Sequence, residues 1–251
     1  MPDFSNLIQG PAEWCIFFFC ALLIGMSKTG IANIGTLTVP VFALLFGAKH
    51  STGIVLPLLC MADLLAVIYY RKKFHRKLVL KPMPWALLGL VIALVLGHLV
   101  PESGFRAMMS ACILLGIGMM FATGRTEKLE AITASRWFAP IIGLVLGFST
   151  MIGNAAGPIL TVYLLAMRLP KFAFVATGAW FIMILNYLKI PLQVFVWDNI
   201  SLSGILLDLT ALPFILLGGF IGIRIVDVLP ERQFKVLVIA MTAVSTLFLL
   251  I

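Results

Sequence analysis

The sequence predicts an all-α integral membrane protein made of two inverted repeats, each a broken or re-entrant helical hairpin plus three transmembrane helices. Three observations lead there. First, 62% of the 251 residues are hydrophobic and 11% are charged, against about 45–50% apolar and 25% charged in a soluble domain. Mean hydropathy is +1.12, a value that places most of the chain in lipid. Second, two apolar runs are too long for one crossing and are interrupted by polar, glycine-rich stretches: GMSKTGIANIGT at 25–36 and GFSTMIGNAAGP at 147–158. Third, motifs of the first half recur in the second at nearly constant offsets.

Taken in order, apolar runs fall at about 13–47, 51–70, 83–100, 106–123, 137–167, 173–197, 202–223 and 234–251. A helix needs about 20 residues to span the hydrocarbon core, so six runs fit one crossing each. The first and fifth fit two short helical arms joined by a non-helical apex. Charge decides how they traverse. If both cross once, the Lys and Arg residues outside the apolar runs divide nine to seven across the membrane. If both return to their own side, fourteen lie on the side of Arg71 to Lys81 and only Lys49 and Arg106 lie opposite. Basic residues collect in cytoplasmic loops, so the returning hairpin is the better reading. Three crossings follow each hairpin, so the second half enters from the opposite side and both termini lie outside.

The duplication is legible residue by residue. At an offset of 129, Pro84 matches Pro213, Gly89 matches Gly218, and the PExxF run of Pro101, Glu102 and Phe105 matches Pro230, Glu231 and Phe234. At 122, Gly25, Ser27 and Gly35 match Gly147, Ser149 and Gly157; at 125, Thr52 and Gly53 match Thr177 and Gly178. Residues 1–123 form the first repeat, 124–136 a cytoplasmic linker and 137–251 the second repeat. MPDFSN has neither a basic n-region nor a small-residue cleavage site, so no signal peptide is expected. The RKKFHRK stretch at 71–77 is read as an anchor against anionic lipid. The net charge of +8 follows from the same loop bias, and no nucleic-acid partner is expected. Cys15, Cys20, Cys60 and Cys112 lie in apolar runs without metal-ligand spacing and read as buried small hydrophobes.

No enzyme constellation is present. There is no HExxH, no Walker A and no paired-cysteine motif, and no metal or cofactor is expected. Interrupted segments at corresponding positions of two inverted halves instead point to a transporter's binding site. Non-helical backbone at membrane depth must face protein or a wet cavity. At each break a new arm begins with amide N–H groups that lack helical acceptors and carry partial positive charge. Two such ends facing each other would hold an anion. The glycines Gly30, Gly35, Gly153 and Gly157 would let the backbone approach the ligand and take positive φ. Ser27, Thr29, Thr36, Asn33, Ser149, Thr150 and Asn154 would supply hydrogen bonds.

Lys28 has three readings: contact with the anion or its pathway, an ion pair with Asp63, or snorkelling along a short arm. Lys189 and Asp208 lie on adjacent crossings and are expected to pair. Asp63 is a candidate for coupling to a proton or another ion. His98 is expected at the membrane interface.

On these residues the chain resembles the TauE/SafE family of sulfite-exporter-like permeases. The resemblance covers nearly all of it, through GMSKTGIANIGTLTVP followed by STG at 51–53, and GFSTMIGNAAGPILTV followed by ATG at 176–178. It implies movement of sulfite, sulfonates or related organosulfur anions across the cell inner membrane. Family members often carry consecutive glycines at the break, where this chain has SKTGIANIG and IGNAAG, so a different small oxyanion or a carboxylate is also open. The expected mechanism is alternating access, with a channel-like anion conductor as the alternative.

Overall fold

Each half of the chain begins with a helix that stops at a short break containing a left-handed asparagine, Asn33 in the first and Asn154 in the second. The computed structural model describes residues 7–123 and 135–248, and every regular element among them is helical. Apart from its last two residues, the predicted linker at 124–136 lies outside the described residues. Helix α1 (Pro11–Thr29) is followed by a 3₁₀ turn at Ile34–Leu37 and α2 (Thr38–Phe46). The first half continues through α3 (Ala48–Tyr70), α4 (Arg76–Leu80), α5 (Met83–Leu99) and α6 (Glu102–Thr123). The second half runs through α7 (Phe138–Gly153), α8 (Gly157–Ala166), α9 (Lys171–Phe195), α10 (Leu202–Thr210), α11 (Leu212–Val228) and α12 (Glu231–Phe248).

Both long runs are broken inside the predicted stretches, at 30–33 and at 154–156. The arms, however, are not all short. Helix α1 has 19 residues, about 28 Å at 1.5 Å per residue, so the first apex lies far from the helix start. Among the described residues four segments are long and apolar enough to cross a membrane: Pro11–Thr29, Ala48–Tyr70, Arg76–Leu99 and Lys171–Phe195. Leu202–Thr210 with Leu212–Val228 makes a fifth if counted as one span. The run at 202–223 is thus not the straight crossing expected. Its two helices meet at 51°, because Pro213 sits in the first turn of α11, where its missing N–H and ring prevent α10 from continuing. Pro84 takes the corresponding place at the start of α5, after the short α4.

The packing is reciprocal. Helix α1 lies along α11, and α7 lies along α5. A Cβ on Gly25 would strike the Ile215 carbonyl, and one on Gly147 would strike the Ala86 carbonyl. Likewise Gly89 abuts the Leu144 carbonyl and Gly218 the Leu22 carbonyl. Each contact maps onto the other at the offsets of 122 and 129. Small residues that let helix backbones touch are the usual means of association in lipid, where burial against a neighbour gains no hydrophobic energy.

Helices α3 and α9 cross the middle antiparallel. The start of α3 meets the end of α9, where Asn199 Nδ2 donates to the Lys49 carbonyl at 3.0 Å. The end of α3 meets the start of α9, with the Tyr70 and Phe172 rings 6.3 Å apart.

The repeated PExxF run now has a physical role. Glu102 accepts the Ala48 and Lys49 N–H groups at 2.7 and 3.3 Å, and Glu231 accepts the Lys171 N–H at 3.1 Å. Each glutamate caps the long helix of its own half, satisfying orphan donors and meeting the positive end of the dipole. Phe105 packs on Trp197 and Phe234 on Phe174. Three cysteines are buried as expected, but Cys15 is exposed on the outer face of α1. His98 is also exposed.

Gly147→Val and Gly25→Val should each lower thermal stability in detergent by at least about 1–3 kcal/mol, the range for overpacking. The obstructing atoms are backbone carbonyls, which cannot rotate away. A solvent-side Gly10→Val, which meets nothing within 4 Å, is the control.

Candidate functional site

The two breaks meet through one side chain. Asn33 Nδ2 donates to Thr161 Oγ1 at 2.8 Å, joining the first break to α8. A Cβ on Gly157 would lie 2.5 Å from Asn33 Oδ1 and 3.3 Å from Thr36 Oγ1, so only glycine admits this approach. The positive φ expected of the glycines belongs instead to the asparagines. Asn33 has φ 71° and Asn154 φ 52°, whereas Gly47 is the positive-φ glycine among the described residues. Asparagine tolerates the left-handed region because its short polar side chain bonds locally. At Asn154 this ends α7, with the Asn154 N–H on the Thr150 carbonyl at 3.1 Å.

Between the breaks lies a cavity of about 120 Å³. Of the sequence-predicted residues, Ser27, Lys28, Gly30, Asn33, Gly35, Thr36, Asp63, Thr150, Asn154 and Gly157 line it. Five others do not, Lys189 and Asp208 among them. Thr29 is fully buried and joins α1 to α11, its hydroxyl donating toward the Gly25 and Gly219 carbonyls. Ser149 is buried within α7, and Gly153 packs against Met109. Gly153 and Asn154 border a second, much smaller pocket with Thr52 and Phe42. The start of α8, at Gly157, opens on the main cavity. The far wall is apolar, formed by Leu59, Leu160, Leu164, Phe174 and Ile182 among others.

The charges are arranged differently from the expectation. Lys28 Nζ sits 2.7 Å from Asp63 Oδ1, with Lys28 16% exposed and Asp63 fully buried. Of its three readings, the ion pair is therefore formed, and formed at the cavity wall. Asn186 Nδ2 holds the other carboxylate oxygen at 2.6 Å. Lys189 does not pair with Asp208. It donates to the Thr150 carbonyl at 2.9 Å, Thr150 Oγ1 at 3.1 Å and Asn154 Oδ1 at 2.5 Å. Asp208 is buried on α10 with no hydrogen-bond partner on either oxygen among the described residues. Helix α10, which carries Asp208, packs mainly on α3, whereas the Lys189 ammonium lies against the break at the end of α7.

Two polar lining residues escaped sequence reasoning. Asn186 lies three residues before Lys189 and so shares its helix face; a polar residue directly after the apolar FIMIL run was the available signal. Thr161 carried none, since threonine is common at transmembrane helix interfaces.

With this geometry in place, comparison with known proteins is informative. The model of the family described as "Sulfite exporter TauE/SafE" matches residues 17–249. There is no match among curated proteins and none among solved structures.

Asp63→Ala leaves the Lys28 ammonium without its carboxylate and should cost about 3 kcal/mol of stability. Replacing both, as Lys28→Met with Asp63→Leu, should cost less than half of that in the same detergent unfolding assay.

Proposed function

We propose, from the sulfite exporter TauE/SafE family to which this chain belongs, that this multi-pass membrane protein carries a small sulfur oxyanion across the inner membrane by alternating access. Sulfite, a sulfonate or a related organosulfur anion would bind between the breaks at 30–36 and 150–157. One observation carries the reading: both breaks open on a single cavity and touch there through Asn33. Backbone amides at the start of α8, with the hydroxyls and amides of Ser27, Asn33, Thr36, Thr150 and Thr161, supply donors for oxyanion oxygens. The volume of about 120 Å³ equals about four waters in the liquid, which suits an anion of a few heavy atoms. The Lys28–Asp63 pair at the wall is the candidate for coupling to a proton or ion.

Inverted repeats are supported by three features. The α1–α11 and α5–α7 contacts exchange under the sequence offsets, α3 and α9 run antiparallel, and Glu102 and Glu231 make equivalent caps. The charge bias then puts both termini outside and the Arg71 and Lys171 ends inside. The cavity is lined by α1 near its end, the second half of α3 and the first half of α9, the parts nearest those basic ends. On the other side of Asn154 the second pocket measures about 10 Å³, no larger than one water site. A cavity on one side and near-closure on the other favour a carrier over a channel.

Purified protein in liposomes should show saturable counterflow of labelled sulfite or methanesulfonate. Single-channel currents at rates far beyond carrier turnover would overturn the mechanism. For orientation, in a Cys15→Ser background, Ser201→Cys should react with an impermeant thiol reagent from outside the cell and Arg168→Cys should not. The opposite labelling would invert the topology.

A further inference from the structure

Lys189 carries the second buried positive charge of the site, and its surroundings differ from those of Lys28. The Lys28 ammonium meets a carboxylate at 2.7 Å. The hydrogen bonds of Lys189 run to Thr150 O, Thr150 Oγ1 and Asn154 Oδ1, which match the three donors of an ammonium. All three acceptors are neutral. The residue is 1% exposed, so water does little to spread its charge. Asp63, the carboxylate of this cluster, is already held by Lys28 and Asn186. With all three ionised, the cluster of Lys28, Asp63 and Lys189 holds one positive charge in excess. Thr150 and Asn154 face both ways, since they bind Lys189 and line the cavity.

We infer that Lys189, rather than Lys28, supplies the positive charge that balances the transported anion, acting through Thr150 and Asn154 as a positioning residue. The inference rests on the anion-site reading above and goes further by naming the charge. Lys28 is neutralised by its own partner. Lys189 has no carboxylate among its bonded acceptors, so an anion in the cavity would stabilise its charged form. Its position also answers the asymmetry of the sequence: at an offset of 122, Lys28 falls opposite Thr150, and the cation missing from the second break is delivered to Thr150 from α9.

The test measures binding of sulfite, methanesulfonate and sulfate to detergent-purified full-length protein, by calorimetry and by the anion-induced rise in unfolding temperature. Lys189→Met should weaken binding of the anions the wild type holds by at least about 30-fold, the effect of stripping one member of a buried charge pair. Lys189→Arg should restore affinity to within about fivefold. Asn154→Asp places a carboxylate where Oδ1 now meets the ammonium. It should keep or raise the basal unfolding temperature and yet abolish the anion-induced shift. If Lys189→Met does not fold, Asn154→Asp decides alone. Wild-type affinity in folded Lys189→Met or Asn154→Asp overturns the inference. Wild-type protein that binds none of the three anions overturns the anion-site reading itself.

Discussion

Unwound backbone at membrane depth must find its hydrogen bonds within the protein, and that constraint shapes this molecule. Lipid offers no donors or acceptors, and each unsatisfied group costs several kcal/mol. The chain opens its helices at 30–33 and 154–156 and sets each opening against the other half. Left-handed asparagines turn the chain, and their side chains bind across it. Asn33 reaches Thr161, and Asn154 reaches the Thr52 carbonyl and the Lys189 ammonium. The same groups that close the backbone's account also line the cavity, so binding and structural integrity draw on one set of residues.

The electrostatics follow from the same constraint. Among the described residues, Lys28, Asp63, Lys189 and Asp208 are charged side chains within the apolar runs. Three gather at the breaks, where polar backbone and amide side chains solvate them. Asp208 stands apart on α10, without a hydrogen-bond partner among the described residues. Intramembrane charges are costly and usually line a pathway or pair with one another. Here the pairing is partial, and Lys189, bonded to neutral acceptors, sits beside the cavity at the breaks.

Much of this was legible in the chain. Composition gave the membrane class, and the polar interruptions located both breaks, because a glycine- and asparagine-rich stretch in an apolar run has few other physical uses. The offsets of 122 and 129 anticipated which contacts would be equivalent. Side-chain reach was not legible. Whether Lys189 turns to Asp208 or to Thr150 depends on the placement of α9 against α7, which no local pattern encodes. The length of α1 escaped for a related reason: residues 25–29 read as polar and loop-like, but the helix continues through them because Thr29 and Gly25 are held by α11. The kink at Pro213 was readable from the proline and was overlooked within an otherwise continuous apolar run.

The pairing of α1 with α11 bears on how the protein is made. Thr29 bonds to Gly219, 190 residues later in the chain. At about 5–20 residues per second, that partner emerges roughly 10–40 s after Thr29 itself. Through this interval the first break and its lysine sit in or beside the bilayer without the backbone that will cover them. The first half is equally incomplete without α7, which covers α5. Neither half is therefore a self-sufficient folding unit, despite the sequence motifs the two share. Insertion must hold an unfinished, polar-cored intermediate at the translocation machinery until the closing helices arrive, and a chain truncated before α11 would expose its break to lipid and to quality-control proteases.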